Sequence, residues 1–512
     1  MRLHLIAATA LFAAPVHAFA SDGLQQQVVQ ILAEAGPGIR WGVVVADSDG
    51  SEIVALDPEG RYVPASNTKL FTTAAALWKF TDIDQPDVAA RTSAYLIRSK
   101  AKVPDVVLYG RGDARLSSAR DCKIDCLSAL ADGIAKTARR VGNVIGDDTA
   151  LLDQRWSPGM SWNNIQTDSG TGISALSLDN NEIIVTVNPG KDGAPPLIDG
   201  PAYFTYENRA ASYSRMEMAA GAKPTPAFTQ VSTAPDDQPK PIEFSRMPGS
   251  KLVRIMGAIK LGSPPVKLVL GVDDPAEYTA WAFAQALRKR GVVITGKVSA
   301  KHWTERRTES LIDEPNDAAH AAALAGAMLG EDNEKANASP PPLAEDLTII
   351  NKVSQNLHAE LLVRRLGAEG RDGSIEGGQK VVTAMLTEAG LKPHQYFFAD
   401  GSGMSSYNRV APRGVVSFLR WTHGQPWGAR FKATLPIGGI DGTLSKRFKG
   451  TALEGKIMAK TGTLNATNAL AGFLTTKSGK MLIFSAYAND VPTDVKATRA
   501  MDKALLLVAE AN

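Results

Sequence analysis

Two residues, Ser66 and Lys69, could together form a nucleophile and its base. They lie in residues 64–77, which start with polar residues and continue as an apolar run, a pattern that predicts a helix. Side chains at i and i+3 share one helical face, so the hydroxyl and the amine can meet. A serine at a helix start also lies among free backbone N–H groups, which favour negative charge on an attacked carbonyl oxygen. A buried lysine beside it can lose its proton and act as a base.

Two further short motifs carry polar side chains suited to the same chemistry. Ser354-Gln355-Asn356 precedes leucines at helical spacing and opens a predicted amphipathic helix. Lys460-Thr461-Gly462-Thr463 ends a predicted strand, where backbone groups can pair with an extended peptide and a cation can meet a carboxylate. Each motif alone is equally typical of a helix cap, a turn or a solvated strand end. Two other Ser-x-Asn triplets begin at Ser161 and Ser406.

The elements that must hold these motifs come from both ends of the chain. Apolar spacing predicts a helix at residues 22–35 and another from about residue 494. Strands are predicted at residues 41–46, 52–56, 455–460, 468–475 and 481–488. We therefore expect one domain, built from both ends, with a five-stranded antiparallel sheet flanked by the two terminal helices.

The stretch between Lys69 and Ser354 is far too long for a loop and predicts an inserted segment. Within it, Asp274-Pro275 begins a predicted helix that closes at Gly291. Residues 221–250 predict an irregular excursion, and residues 318–338 predict a linker back to the first domain. Apolar runs in the insertion predict strands at residues 103–109, 183–187, 252–259 and 266–272.

The first twenty residues are typical of a secretory signal peptide. A short basic start is followed by an apolar run over residues 5–16 and by Ala18-Phe19-Ala20. A buried N-terminal helix is the alternative. No later run approaches the roughly 20 apolar residues of a membrane span, so we expect an exported, periplasmic protein without a transmembrane span.

Net charge and cysteine content bear on the partners of the protein and on its redox compartment. There are 56 Lys and Arg residues against 53 acidic ones, a net charge of +3 that argues against a nucleic-acid or polyanionic partner. The two cysteines, Cys122 and Cys126, predict a disulfide in an oxidising compartment. Their spacing is awkward inside a regular helix, so we place them at a helix entrance.

In chain order, Ser66-x-x-Lys69, Ser354-x-Asn356 and Lys460-Thr461-Gly462 form the motif trio of penicillin-binding proteins and class A β-lactamases. Nearly all of the chain after the signal peptide resembles the penicillin-binding protein 4-like D-alanyl-D-alanine carboxypeptidases. These are also called class C low-molecular-mass penicillin-binding proteins, or peptidase family S13. Further motifs carry the resemblance, namely Gly112-Asp113 with Leu116-Ser117, Ser174-Ala175-Leu176-Ser177-Leu178, Leu261-Gly262-Ser263-Pro264-Pro265, Asp400-Gly401-Ser402-Gly403 and Gly439-Ile440-Asp441-Gly442-Thr443-Leu444.

The resemblance implies an α/β (α+β) fold of the β-lactamase/transpeptidase type, with a large inserted domain that carries a smaller one. The signal peptide would occupy residues 1–20. The implied domains are a discontinuous catalytic domain at residues 21–85 and 335–512, an inserted domain II at 86–190 and 251–334, and a smaller domain III at 191–250.

The implied activity is that of a periplasmic serine D-Ala-D-Ala carboxypeptidase and DD-endopeptidase acting on peptidoglycan stem peptides and crosslinks. Ser66 would attack the carbonyl between the terminal D-alanines, Lys69 would take its proton, and Ser354 would pass a proton to the leaving group. β-Lactams are the implied covalent inhibitors, no cofactor or metal is needed, and a homodimer is left open. The implied substrate-binding residues are Asn356, Lys460, Thr461, Gly462 and Thr463.

Other readings of the sequence are weaker. A β-lactamase-like hydrolase is the nearest enzymatic alternative, and a non-turnover module that binds peptidoglycan or senses β-lactams is the non-catalytic one. Tyr487-Ala488-Asn489 matches a class C β-lactamase motif but follows the Lys-Thr-Gly motif and falls in a core strand. His358-Ala359-Glu360 matches a zinc-deaminase fragment, yet both cysteines lie far upstream. None of the histidines lies in a nucleophile motif.

The chain departs from the family pattern at the positions with which many relatives bind the third stem residue, a diamino acid. Their pattern has a carboxylate after a Trp-Asn pair and an arginine just after Asp-Gly-Ser-Gly-x-Ser. Here Asn164 follows Trp162-Asn163, and Ser406 holds the second position. Since both charges are missing, we expect the chain to bind a charged third residue more weakly.

Overall fold

The computed structural model describes residues 17–98, 103–214, 240–303, 330–368 and 373–512. Helices in these ranges are α1 His17–Ala33, α2 Thr68–Lys79, α3 Leu127–Thr137, α4 Pro275–Arg288, α5 Leu343–Lys352, α6 Asn356–Ala368, α7 Ile375–Glu388, α8 Pro412–His423, α9 Gly428–Ala433 and α10 Ala497–Ala511. Strands are β1 Arg40–Asp47, β2 Glu52–Leu56, β3 Ser93–Ile97, β4 Asp105–Tyr109, β5 Arg140–Val141, β6 Val144–Leu152, β7 Glu182–Asn188, β8 Leu197–Asp199, β9 Thr205–Asn208, β10 Ala211–Tyr213, β11 Glu243–Ser245, β12 Leu252–Met256, β13 Ala258–Lys260, β14 Val266–Gly271, β15 Val293–Ile294, β16 Val298–Trp303, β17 Glu334–Asn337, β18 Tyr396–Phe397, β19 Arg409–Val410, β20 Ile457–Leu464, β21 Thr467–Thr475 and β22 Met481–Asn489.

The two ends of the chain meet in one antiparallel sheet, which we call the terminal sheet. Its strand order is β2-β1-β22-β21-β20, so β1 from the N-terminal part lies beside β22 from the C-terminal part. Register runs from Arg40 opposite Asn489 to Asp47 opposite Leu482. This is the five-stranded sheet that the sequence predicts, and β20 with the Lys-Thr-Gly motif forms its edge.

Both faces of the terminal sheet are covered because its strands alternate apolar side chains between the two sides. Val43 and Val45 of β1 pack with α1 and α10 on one side. Val44 and Ala46 point the other way, into a core that contains Phe71 of α2 and side chains of α6, α7 and α8. The predicted flanking by both terminal helices is therefore confirmed. Helix α2, which carries Lys69 and directly follows the turn with Ser66, is buried on the opposite face.

Between α2 and α5 the chain forms a separate set of sheets around a core of its own. A five-stranded sheet of order β16-β6-β4-β3-β17 carries α3 and α4, with β7, β8 and β14 forming a second sheet nearby. The predicted strands at 103–109, 183–187 and 266–272 are confirmed within a few residues. The predicted strand at 252–259 is instead two strands, β12 and β13, which belong to different sheets and are separated at Gly257, where φ is 101°. Helix α4 begins as predicted, and the Asp274 carboxylate accepts a hydrogen bond of 2.9 Å from the Glu277 backbone N–H.

Three sequence predictions, those of the signal peptide, the irregular excursion and the linker, fall partly outside the described residues. One of them, the linker, also differs from the structure. Most of the predicted signal peptide lies outside the described residues, as do parts of the irregular excursion and of the linker. The linker prediction is wrong at its end, because β17 pairs antiparallel with β3. The sequence of β17 has no apolar alternation, and its pairing uses the backbone edge of β3. The division into three domains stays a prediction.

No helix in the described ranges combines the length and apolar character needed to cross a membrane.

The predicted disulfide is present between Cys122 and Cys126, and Cys126 is the residue immediately before α3. The two cysteines are four residues apart, so the bond closes a very short loop. Chain-entropy estimates for so short a loop give about 2 kcal/mol of stabilisation. The bond is distant in sequence from every candidate site residue.

We predict that replacing both cysteines by serine lowers the free energy of unfolding by about 2 kcal/mol or less and leaves unchanged the D-alanine release that the family resemblance implies. Denaturant unfolding and an activity assay on the same preparation measure the two effects. Two free thiols in freshly purified, unreduced protein, or an inactive double variant, would contradict this prediction.

Candidate active site

Ser66 lies on a tight turn directly before α2 rather than within the helix. A 3-10 turn spans Ala65–Asn67, and Ala65 adopts a left-handed backbone conformation with φ of 46°. The Thr68 hydroxyl donates a 3.0 Å hydrogen bond to the Ala65 carbonyl oxygen. The Asn67 side chain donates to the backbone oxygen of Lys460 at 3.2 Å, which ties the turn to β20. The serine hydroxyl is thereby held between the helix and the sheet edge.

Lys69 is fully buried one helical turn after Ser66. Its Nζ lies 3.1 Å from Ser66 Oγ, 2.7 Å from Asn356 Oδ1 and 2.6 Å from the Ser402 carbonyl oxygen. These acceptors match the three donors of an ammonium group. The expected contact between the Ser-x-x-Lys side chains is thus confirmed, and no histidine takes part in it.

Burial lowers the pKa of Lys69 to about 7, because the low-dielectric interior disfavours the charged form. The carboxylates of Asp400 and Glu360 oppose this effect by attracting the ammonium. A substantial neutral fraction of Lys69 is therefore available near neutral pH. A neutral amine beside a serine hydroxyl can accept its proton.

The second serine and the second lysine form a matching pair on the other side. Lys460 is fully buried, and its Nζ donates to Ser354 Oγ at 2.9 Å and to the Thr461 carbonyl oxygen at 3.0 Å. Ser354 has a left-handed φ of 67° between α5 and α6. Burial holds the pKa of Lys460 well below its ordinary value, and the nearby charge of Lys69 lowers it further.

The remaining predicted residues also lie in this region. Asn356 accepts from Lys69 and donates from Nδ2 to the Ser169 carbonyl oxygen at 3.0 Å, so it joins α6 to the inserted part. The Thr461 hydroxyl is 2.7 Å from that of Thr443. Thr463 is exposed on edge strand β20. All three motifs therefore converge, as the sequence predicts.

Gly462 lets β20 pass close to the turn that holds Ser66. A Cβ at this position would lie 2.6 Å from the Pro64 carbonyl oxygen and 2.9 Å from the Ala469 Cβ. Neither neighbour can move freely, since one belongs to the turn and the other to the adjacent strand. The glycine of the Lys-Thr-Gly motif is therefore required by close backbone approach.

The loop at residues 400–403, to which the sequence assigns no role in the site, contacts Lys69. Residues 400–403 place the Ser402 carbonyl on Lys69, and Gly403 has φ of 90°. The buried Asp400 carboxylate accepts from the backbone N–H of Gly403 at 2.9 Å and from Asn408 Nδ2 at 2.6 Å. The Asp-Gly-Ser-Gly motif was visible in the sequence, but a carbonyl acceptor leaves no side-chain signal.

The motifs judged to be false matches have structural roles. Asn408, of the third Ser-x-Asn triplet, holds Asp400. Tyr487 is fully buried in β22, and Asn489 Oδ1 accepts from the Val63 backbone N–H at 2.8 Å. His358 lies 3.0 Å from Asn180 Oδ1, and both cysteines are in the disulfide, so no zinc-deaminase site forms.

Comparison with known proteins places this geometry in a family. The model of the family described as "D-Ala-D-Ala carboxypeptidase 3 (S13) family" matches residues 24–314 and 324–511. The chain belongs to peptidase family S13. It is 31% identical over 501 residues to a D-alanyl-D-alanine carboxypeptidase of Actinomadura sp. strain R39, covering 93% of this chain and 84% of that protein. This S13 protein is accordingly a serine-type hydrolase.

Two further similarities concern a relative from Haemophilus influenzae. D-alanyl-D-alanine carboxypeptidase DacB is 24% identical over 463 residues, covering 89% of this chain and 84% of that protein. The crystal structure of penicillin binding protein 4 (dacB) from that organism gives a TM-score of 0.73 at 21% identity, over 93% of this chain and 98% of that chain. A complex of it with a β-lactam gives a TM-score of 0.67 at 20% identity, over 93% and 97%. The S13 chain therefore has the transpeptidase-like fold.

We predict that Gly403→Ala lowers kcat/KM for D-alanine release at least about tenfold, because a misplaced reacting group is costly. The new Cβ would lie 1.9 Å from the Ala65 carbonyl oxygen and 2.9 Å from the Ser66 backbone nitrogen. Gly390→Ala is the matched control, since Gly390 has a similar φ of 81° but nothing within 4 Å of a Cβ. Equal activity of the two variants would show that the 400–403 loop does not fix the Ser66 turn.

Proposed function

We propose that this protein is an exported serine D-Ala-D-Ala carboxypeptidase and DD-endopeptidase that acts on peptidoglycan through an acyl-enzyme on Ser66. The observation that carries the proposal is the 3.1 Å contact between Ser66 Oγ and the buried Nζ of Lys69. The signal-peptide pattern at residues 1–20 supports export to the periplasm. Family membership supports the substrate class, the D-Ala-D-Ala end of stem peptides.

In the first half-reaction, Ser66 Oγ attacks the carbonyl carbon between the two terminal D-alanines while neutral Lys69 takes its proton. The negative charge on the carbonyl oxygen is stabilised by the backbone N–H groups of Ser66 and of Thr463 on edge strand β20. Collapse of this intermediate breaks the peptide bond. Ser354 passes the proton taken by Lys69 to the departing amine, which leaves as D-alanine or, in a crosslink, as the side-chain amine of the acceptor stem, so that Lys69 is neutral again.

In the second half-reaction, water adds to the acyl-enzyme carbonyl and Lys69 again accepts a proton. The ester bond breaks, Ser66 regains its hydrogen, and the shortened stem leaves with a free carboxylate. Thr461 and Thr463 suit the terminal carboxylate of the substrate, and Gly462 lets that strand lie close to the nucleophile. Asn356 holds a substrate amide only by exchanging its present bond to Lys69 or to the Ser169 carbonyl.

In the proposed mechanism, substrate binding changes the protonation of Lys460. Burial and the nearby charge of Lys69 hold the pKa of Lys460 well below its ordinary value in the free site. A carboxylate bound near Thr461 would favour its protonated form. Its hydrogen bond to Ser354 then allows it to support proton delivery to the leaving group. β-Lactams enter the same scheme as substrates whose acyl-enzyme persists.

We predict that Ser66→Ala abolishes covalent labelling by fluorescent penicillin and lowers D-alanine release at least about a thousandfold, since one oxygen performs both reactions. Products from purified monomeric and crosslinked muropeptides are identified by mass. Ser478→Ala, in the exposed turn between β21 and β22, is the control and should behave as wild type. Label on the Ser66→Ala variant would assign the nucleophile elsewhere. A labelled wild-type protein that releases no D-alanine would favour the non-turnover β-lactam sensor.

We also propose that this enzyme discriminates poorly at the third stem residue. The two family positions for charged contacts are Asn164, in the 3-10 turn Trp162–Asn164, and Ser406. Ser406 donates from its backbone N–H and from Oγ to the Gly159 carbonyl oxygen at 3.0 and 3.1 Å, which brings the two segments side by side.

We predict that Asn164→Asp combined with Ser406→Arg increases selection for a diaminopimelate-type stem about tenfold, because charge-assisted hydrogen bonds are stronger than neutral ones. The measurement is the ratio of kcat/KM for stems with that residue and with a neutral substitute. Each single variant is the control for a general effect of substitution. A strong preference of the wild-type enzyme for the charged stem would mean that other residues form this pocket.

A further inference from the structure

Glu360 is a buried carboxylate of α6 that neither the motif trio nor the proposed mechanism uses. It lies one helical turn after Asn356, on the side of α6 that faces the 400–403 loop. Its Oε1 accepts hydrogen bonds from the backbone N–H groups of Gly401 at 3.0 Å and Ser402 at 2.9 Å. The carboxylate thus holds two consecutive amides of the loop that contacts Lys69.

The other oxygen of Glu360 is anchored from two directions. Arg364, on the next turn of α6, donates from Nη1 to Oε2 at 2.8 Å, and the Ser157 hydroxyl of the inserted part donates at 3.1 Å. Arg364 is fully buried and also donates to the Glu360 carbonyl oxygen at 2.9 Å. Both oxygens therefore have partners, so the carboxylate has a fixed orientation.

The loop held by Glu360 delivers its carbonyl groups to α2. The Ser402 oxygen accepts from Lys69 Nζ at 2.6 Å, and the Gly401 oxygen accepts from the Thr72 hydroxyl at 2.7 Å. A Cβ on Gly401 would lie 2.4 Å from Val363 Cγ2, so the loop packs directly on α6. Moving the amides that Glu360 holds would also move the carbonyl that Lys69 contacts.

The charges of nearby groups also act on Lys69. The groups that face Lys69 are Ser66 in the turn before α2, Asn356 and Glu360 on α6, Asp400 in the loop and Lys460 on β20. Only Asp400 and Glu360 among them are acidic.

The two acids differ in how firmly they hold their charge. Burial raises the pKa of Asp400 to about 6, and the neighbouring Glu360 carboxylate adds to this. Burial acts in the same direction on Glu360, but the charge of Arg364 and hydrogen bonds from Ser402 outweigh it and hold the pKa of Glu360 below its ordinary value. The surroundings therefore stabilise the charged form of Glu360 more than that of Asp400.

We infer that Glu360 is a positioning residue for Lys69, which it serves by fixing the Ser402 carbonyl against Nζ and by keeping a permanent negative charge nearby. This inference rests on the proposed function, in which Lys69 is the base of acylation. Its two components can be separated. Gln keeps the reach of the side chain and loses the charge, whereas Asp keeps the charge and loses the reach.

The experiment measures the second-order rate of acylation by fluorescent penicillin as a function of pH. We expect the wild-type rate to rise with pH as Lys69 loses its proton, because burial lowers the pKa of Lys69 to about 7. In Glu360→Gln the protonated lysine loses an attractive charge, so its pKa falls. We expect the rise to move about one pH unit lower. In Glu360→Asp the rise should keep its position, and the plateau should fall at least about tenfold because Ser402 is no longer held.

Glu360→Gln leaves the buried Arg364 without its counter-charge, so thermal unfolding is recorded for every variant. If Glu360→Gln does not fold, Glu360→Gln with Arg364→Met replaces it, since a buried ion pair exchanged as a unit is often tolerated. The shift should keep its sign, because Glu360 rather than Arg364 acts on the pKa of Lys69. Glu376→Gln, at an exposed position on α7, is the matched control and should leave the profile unchanged.

An unmoved rise in the folded Gln variant overturns the charge component, and an unchanged plateau in the Asp variant overturns the positioning component. A uniform loss of rate at all pH values in the Gln variant, without a shift, assigns Glu360 a merely structural role and also overturns the inference. Failure of the proposed function appears differently, as a wild-type protein that takes no label at Ser66.

Discussion

The site depends on burying two lysine side chains, Lys69 and Lys460, where neither meets solvent. Taking an ammonium out of water costs several kcal/mol unless hydrogen bonds and opposite charges compensate. Ser402, Asn356, Ser354 and the Thr461 backbone supply the hydrogen-bond acceptors. These partners come from separate parts of the chain, so the lysines reach their perturbed state only when the whole domain has assembled.

The sequence predicts the parts of this arrangement whose signal is local. Short apolar runs bounded by turn residues locate β1, β2, β21 and β22, and the hydroxyl–lysine spacing of Ser66 and Lys69 follows from helical geometry. Strand-like runs at both chain ends predict one shared sheet, and β1 does pair with β22. The order of the three motifs then predicts their convergence, although no single motif is specific.

The parts that the sequence does not predict are contacts made by backbone atoms or by distant partners. The Ser402 carbonyl serves Lys69 without any property of the serine side chain. Glu360 resembles an ordinary helix residue until the loop at 400–403 is placed beside it. Strand β17 pairs through its backbone and has no apolar alternation. In each case the decisive partner is far away in sequence, and residue type alone does not reveal it.

Lys69 and Lys460 differ in the charged groups around them, and this difference suits separate roles in the proposed reaction. Lys69 has Asp400 and Glu360 to attract its proton, whereas burial and the charge of Lys69 both act against protonation of Lys460. A substrate carboxylate near Thr461 would draw a proton to Lys460, and repulsion between the lysines would then lower the pKa of Lys69. In the proposed reaction, substrate binding itself thus releases the base beside Ser66.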